Sequence, residues 1–347
     1  MNRIYRSVTV LLLLLSVELA NAEPYVEIVI GDTTPKQVGK GKFEPGKLNN
    51  PFAVDFDANE NMYIVEYQGG RIHRMTPDGK LTHVAGRPDA KGYTGDGGPP
   101  KQATFNLLHN LAIAPDGKLY MSDHLNSVVR TFDPKTNAIA SYAGNGKKGF
   151  AGDDESVTKA RFNMVMCVML NPAKDTLYIA DIRNYRIRAI NMKSQTISTV
   201  AGNGKRGIPK DAAISTKAPL VDPRAAAADK KGNLYIVERG GHALRVVRTD
   251  GKIYTLAGTG KKGKADGSAL KATMNGPKHL DIDDDGNVYI ADDNNHLIRK
   301  YDPKSKTLTT VLGKGKTKLN RPHGVCVHKG YLYVADSWHH RILKIKL

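Results

Sequence analysis

Six carboxylates stand at the ends of closely similar phrases along the 347-residue chain: Glu66, Asp123, Asp181, Glu238, Asp292 and Asp336. Seven or eight positions after each comes a base, in turn Arg74, Arg130, Arg188, Arg245, Arg299 and Lys344. Grouped carboxylates can exchange protons or hold a metal ion. One acid in every repeat, however, reads as a task that every repeat has. The expected task is to cap a turn and pair with a neighbouring base. Histidine offers a sharper pattern. His109 and His323 hold the same place in two phrases, two residues before Leu111 and Val325. Two such imidazoles could begin a zinc-type set, which needs three protein ligands and a water. The matching place in a third phrase is Arg224, whose permanent charge repels a cation and suits an anionic substrate. His279 lies one residue later than this register, so its side chain would point the wrong way along a strand.

Lysine supplies the third pattern. GNGKKG (144–149), GNGKRG (202–207) and GTGKKG (258–263) each follow a β-branched run and carry Lys147, Lys148, Lys205, Arg206, Lys261 and Lys262. All three match G-x-G-x-x-G, but a dinucleotide site needs a helix opening directly after the glycines to meet the pyrophosphate. No helical pattern follows, and three copies at a regular period mark an architectural loop. Like charges repeated at one place in successive units would gather on one face and attract an anion. These loops lack the interleaved aromatics that single-stranded nucleic acid would stack upon.

The elements that must position these residues are also repeats. The phrase recurs as NMYIVE (61–66), KLYMSD (118–123), TLYIAD (176–181), NLYIVE (233–238), NVYIAD (287–292) and YLYVAD (331–336). An apolar run precedes each phrase, a β-branched run follows, and a further run ends in Ala-Gly or Leu-Gly. Asp-Gly pairs at 78–79, 116–117, 250–251 and 285–286 supply tight hairpin turns. Each unit reads as four antiparallel strands, and such units set around an axis form a β-propeller. In the first five units the terminal Gly falls 23 or 24 residues after the tyrosine, but the chain stops at Leu347 before the sixth can reach one. The orphan run YVEIVIG (25–31) can supply that missing outer strand. The reading is all-β: a six-bladed propeller of four-stranded blades, closed by the N-terminal strand joining the C-terminal blade.

Composition narrows the function classes. With 52 Lys+Arg against 34 Asp+Glu, the chain carries +18 and favours anionic partners. Arg3 and Arg6, the apolar run 8–17 and the small residues of Ala20-Asn-Ala22 form a secretory signal peptide over 1–22. The run is too short to cross a bilayer, which takes about 20 apolar residues. Residues 23–347 are then one exported propeller domain, periplasmic or extracellular, and export removes nucleic acid from the expected partners. Cys167 and Cys326 fall on inner strands of opposite blades, too far apart for a disulfide, and are expected as buried free thiols.

The segments YIADIRNYRIRAI (178–190), YIADDNNHLIRKY (289–301) and YVADSWHHRILKI (333–345) resemble the NHL repeat. GYTGDGGPPKQATF (92–105) is similar to linkers of secreted multi-blade NHL proteins. The resemblance spans residues 25–347 and implies the propeller fold. It implies little about activity, because NHL propellers include enzymes, RNA binders and adhesion modules. LHNLAI and RPHGVCV also resemble P-H-x-[LI] segments of the amidating lyase, a six-bladed zinc enzyme using three histidines from alternate blades. His109 and His323 match two of these, while Arg224 departs from the third. The axial carboxylates of calcium-dependent lactonase propellers have no counterpart at the strand entrances Phe52, His109, Met166, Arg224, Lys278 and His323. The leading expectation is a non-enzymatic binder presenting the basic loop face to an anionic polysaccharide or acidic protein, with no cofactor. The alternative is a lyase or hydrolase using a divalent transition metal at the axis, with His109, His323 and His279 as ligands and Arg224 holding substrate.

Overall fold

The computed structural model describes residues 24–31, 47–88 and 90–347. Residues 1–22, expected from the sequence to be a signal peptide, lie outside them. Six antiparallel sheets follow one another along the chain. In each, the apolar run before the tyrosine phrase is the innermost strand: Pro51–Phe56, Leu108–Ile113, Val165–Leu170, Pro223–Ala228, His279–Ile282 and Pro322–His328. The tyrosine phrase is the second strand, and the two β-branched runs are the third and outer strands.

The ring closes as the sequence predicts. Val26–Ile30 pairs antiparallel with Arg341–Lys346, placing Val26 opposite Ile345 and Ile28 opposite Leu343. It is the outer strand of the sixth blade, so the first and last segments of the fold are hydrogen-bonded together. The expectation of four strands per blade needs one correction. Blades three, four and five carry a fifth, two-residue strand at the outer edge: Glu155–Ser156, Ala213–Ile214 and Gly267–Ser268. These pieces come from the inter-blade linkers. Each linker crosses the outer edge of the blade it is about to enter and pairs with that blade's outer strand, satisfying edge backbone groups that would otherwise face solvent.

Between blades the inward-facing side chains interdigitate. Ala53 and Val65 of blade one pack with Leu108, Leu111 and Met121 of blade two, and Phe105 of the intervening linker joins them. The glycine that ends an outer strand is required by close approach. A Cβ on Gly202, at φ +90°, would stand 2.0 Å from the Tyr185 carbonyl oxygen, and one on Gly86 equally close to the Gly70 carbonyl. This accounts for the first glycine of the G-x-G-x-x-G loops without any phosphate. Cys167 and Cys326 are buried free thiols. Among the described residues, no helix is long and apolar enough to cross a membrane.

Candidate functional site

The six repeated carboxylates are fully buried, and the structure gives each the same work. One oxygen accepts a backbone N–H just ahead of the blade's inner strand: Asn49 to Glu66, Asn106 to Asp123, Asn163 to Asp181, Val221 to Glu238, Asn275 to Asp292 and Asn320 to Asp336. In three blades the other oxygen takes an amide from Asn126, Asn184 or Asn295, whose Nδ2 also donates to the linker carbonyl of Gly92, Gly149 or Gly263. The carboxylate thus ties second strand, inner strand and linker together. Burial pushes Asp123 up to about 6 and Asp181 up to about 7, against the pull of these donors and of Arg130 and Arg188. The basic partners are Arg130, Arg188, Arg245 and Arg299 in the four middle blades. In blades one and six they are Arg71 and Arg341, five residues after the acid, rather than Arg74 and Lys344. Lys344 instead pairs with Glu27 on the closing strand.

Inner strands begin, second strands end and outer strands end on one side of the ring, here called the upper face. Near their entrances, five of the six inner strands show a register shift of the kind a bulge produces, as between Pro223 and Ala225. A bulge re-aims its side chain. The residues there point into a chamber of about 340 Å³ on the axis. All six entrance positions line it: Phe52, His109, Met166, Arg224, Lys278 and His323.

Arg224 sits at the centre, 5% exposed. Its Nη2 lies 2.6 Å from His109 Nε2 and 3.1 Å from His323 Nε2, and its Nη1 meets the Met166 sulfur. A guanidinium can only donate, so both Nε2 atoms act as lone-pair acceptors and both imidazoles are neutral. Burial holds His109 and His323 well below the usual imidazole range, and neighbouring positive charge lowers both further. Burial and the nearby Arg239 bring Arg224 down to about 10. Among the described residues no carboxylate comes within ion-pair distance of Arg224. Its Nε and the Nδ1 of His323 are buried without a hydrogen-bond partner.

The surroundings add charge of the same sign. Arg183, Arg239, Lys278 and Arg321 also line the chamber, against the two carboxylates Asp222 and Asp293. Asp293 is shared by Lys278 at 3.1 Å and Arg321 at 2.6 Å. Burial, with Arg224 close by, brings the Lys278 amine down to about 8. The opposite wall is aromatic. Tyr67 stacks on Phe52 at 4.2 Å, and Phe52 stacks on His323 at 3.7 Å. Trp338, 46% exposed, stands at the mouth beside Arg321.

His279 is not part of this group. It lines a second chamber of about 490 Å³ that opens toward the lower face and shares no lining residue with the upper one. Its Nε2 meets Asn110 Nδ2 at 2.9 Å, a bond between blades five and two across the axis. The lower chamber is acidic. Asp55 and Asp281 face it, each accepting backbone N–H groups from its own blade and the next. Burial pushes Asp281 up to about 7, and Asp55 adds to the rise. Among the described residues, no three His, Cys, Asp or Glu side chains gather in a way that could hold a metal ion. The Nε2 atoms of His109 and His323 are engaged by Arg224.

The six loop bases Lys147, Lys148, Lys205, Arg206, Lys261 and Lys262 are exposed and leave the upper ends of outer strands. Arg206 lies 3.9 Å from Asp222 at the edge of the upper chamber. The other five have no carboxylate within ion-pair distance among the described residues. Sequence reasoning missed Tyr67, His124, Ile182, Arg239, Asp293 and Ser337, which all line the upper chamber. Each is the residue directly after a ring carboxylate, so the repeat itself carried the signal.

The NHL repeat model matches residues 319–345. The sixth blade of this propeller thus carries an NHL repeat. The propeller is 25% identical over 347 aligned positions to human NHL repeat-containing protein 2, covering 87% of this chain and 47% of that protein. The chain spans about half the length of that relative or less in the other curated relatives. Among solved structures, it superposes on an auxiliary nutrient binding protein from Bacteroides ovatus with TM-score 0.66 at 16% identity, covering 93% of this chain and 77% of that one. It also superposes on Staphylococcus aureus virginiamycin B lyase with TM-score 0.58 at 14% identity, covering 94% and 100%. The fold of this propeller therefore serves binders and enzymes alike.

Proposed function

We propose that this chain is an exported binding propeller whose upper face takes an anionic partner, a carboxylated or sulfated polysaccharide in preference to an acidic protein. The observation that carries the reading is Arg224: a buried guanidinium held by two neutral imidazoles and a thioether. A buried charge without a counter-charge is costly, and an anion entering the chamber would remove that cost. The loop bases lie along an arc of the same face, after blades two, three and four, where their summed field would draw a polyanion toward the axis. Names among the solved neighbours support binding as the role, since two of them are auxiliary nutrient binding proteins.

Retention on a heparin or polygalacturonate column, read as the salt needed for elution, tests this. One variant carries Lys147→Glu, Lys148→Glu, Lys205→Glu, Arg206→Glu, Lys261→Glu and Lys262→Glu. A control of equal charge change reverses Lys80, Lys135, Lys193, Lys231, Lys252 and Lys304, which sit on or beside lower-face turns. The upper-face variant should elute at much lower salt than the control. Equal losses would mean that only net charge matters, and the dedicated face would be wrong.

A further inference from the structure

The two axial chambers meet at a floor. Asn110 and His279 reach across the ring from opposite blades and bond at 2.9 Å, Asn110 Oδ1 also accepts the Val168 N–H at 3.1 Å, and His279 Nδ1 faces the Val325 N–H at 3.4 Å. Both side chains are buried, and a neutral His279 accepts at one ring nitrogen only, so only one of the Asn110 and Val325 N–H contacts can be a hydrogen bond to it. The upper chamber is therefore blind. A polymer cannot thread along the axis; only a chain end or a small molecule can enter.

What enters must suit two unlike walls. On one side Tyr67, Phe52 and His323 form a continuous stack, with Tyr67 its partly exposed end. The side formed by blades four and five presents Arg224, Lys278 and Arg239. A pyranose ring has an apolar C–H face and a polar edge, the division these walls present, and aromatic rings commonly supply the apolar contact in small-ligand sites. A carboxylate on that ring would meet the chamber-facing edge of the Arg224 guanidinium. About 340 Å³ lies at the small end of ligand pockets, roughly 300–1,000 Å³, and leaves no room for a longer segment.

We propose that the upper chamber is an end-on site for a uronic acid residue, the terminal sugar of a carboxylated saccharide chain, seated on Tyr67 with its carboxylate at Arg224. This rests on the reading that the upper face takes an anion, and it commits that face to recognising chain ends. The loop lysines would then hold the following sugars outside the chamber, so a short chain should outbind its own monomer.

Calorimetry on residues 23–347 tests the assignment with four probes: galacturonate, trigalacturonate, glucose and maltotriose. Trigalacturonate should bind at least tenfold more tightly than galacturonate, and the neutral sugars should not bind measurably. Arg224→Met should weaken both uronides at least a hundredfold while column retention on the polyanion, set largely by the loops, changes little. If Arg224→Met does not accumulate, Tyr67→Ala should weaken them about tenfold. Equal affinity for monomer and trimer would overturn the chain-end assignment in favour of a free acid. Unchanged affinity in Arg224→Met and Tyr67→Ala, or equal binding of glucose, would overturn the site. No uronide binding with column retention intact would defeat the end-on site and leave the anionic face standing; loss of both would defeat both.

Discussion

Arg188 and Arg224 are both buried guanidinium groups of the same ring, and their surroundings differ in kind. Arg188 lies within a blade, 2.6 Å from Asp153 and 3.8 Å from Asp181, donates to the Ala151 carbonyl and rests over Phe150 and Phe162. Arg224 stands on the axis and touches two neutral imidazoles and a sulfur. The first arrangement recurs, with variations, in every blade; the second occurs in one blade only. Repetition marks scaffold, because a ring of equivalent units needs the same fastening at every seam. A departure from repetition at the axis marks a place where the fold gains nothing from the residue. That contrast separates six charged groups that hold the propeller together from one that is available to a ligand.

The strongest disruption removes the frame in which both arginines sit. Deleting residues 24–31 takes the outer strand from the sixth blade and exposes the edge of Arg341–Lys346. Adjacent blades share packed interfaces, so loss should spread around the ring. Soluble yield should fall sharply, and any soluble remainder should melt far below the undeleted chain in calorimetry. A deletion variant that melted like the parent would mean that the closing strand holds nothing.

Next comes the scaffold arginine. Arg188→Met keeps the volume and the contacts with Phe162 but strands Asp181 and Asp153 beside an apolar group. Removing one partner of a buried pair costs about 3–5 kcal/mol. Urea denaturation should show that loss, and a change below about 1 kcal/mol would place Arg188 outside the fastening. The same substitution at Arg224 should behave in the opposite way. No carboxylate is left alone, and a costly buried charge disappears, so stability should hold or rise by about 1–2 kcal/mol. A loss as large as that of Arg188→Met would show Arg224 to be scaffold as well, and the contrast would collapse.

The scaffold half of this contrast was legible in the sequence because it is periodic. Six acids, their following bases and the terminal glycines stand at matching places in six phrases, and a residue type held constant through repeats reports a backbone requirement. Even so, periodicity misled at the ends. In blades one and six the buried base is Arg71 or Arg341, and only the geometry of those turns distinguishes it from Arg74 or Lys344. The fifth strands escaped notice because two-residue pieces of linker have no pattern; their pairing is set by where the chain happens to cross an outer edge. At the axis the positions were legible but their company was not. Phe52, His109, Met166, Arg224, Lys278 and His323 could be aligned as strand entrances. Which of them touch depends on bulges and on the short cross-axis distances of a closed ring, so the sequence shows Arg224 only as a departure from a metal set that suits an anionic substrate. It is instead the centre of the cluster, with His109 and His323 as its acceptors. His279 illustrates the same limit: one residue of register places it in the crossing between the chambers, facing the lower one.

The finest test concerns Lys278, which lies between the two classes. It is buried on the axis, yet it has a carboxylate, Asp293, at 3.1 Å. Burial and the charges of Arg224 and Arg321 depress its amine to about 8, and Asp293 offsets them in part. The depressed value has a definite sign for stability. Between about 8 and 10.5 the unfolded chain holds a proton that the folded chain has released, so the contribution of Lys278 to stability rises with pH across that window. Below about 8 both states are protonated, and the cost of the buried ammonium is fully present. Ligand binding should move the other way. As pH rises from 7 to 9, Lys278 loses its charge while Arg224, at about 10, largely keeps its own, and an anion in the chamber loses one attractive partner. Affinity for an oligouronide should fall about fivefold, the effect of roughly 1 kcal/mol for one charge contact seen partly through water. In Lys278→Met the affinity should start lower at pH 7 and stay flat to pH 9. An equally steep fall in that variant would assign the pH dependence to another group, and Lys278 would then belong with the scaffold, fastened by Asp293 as Arg188 is by Asp153.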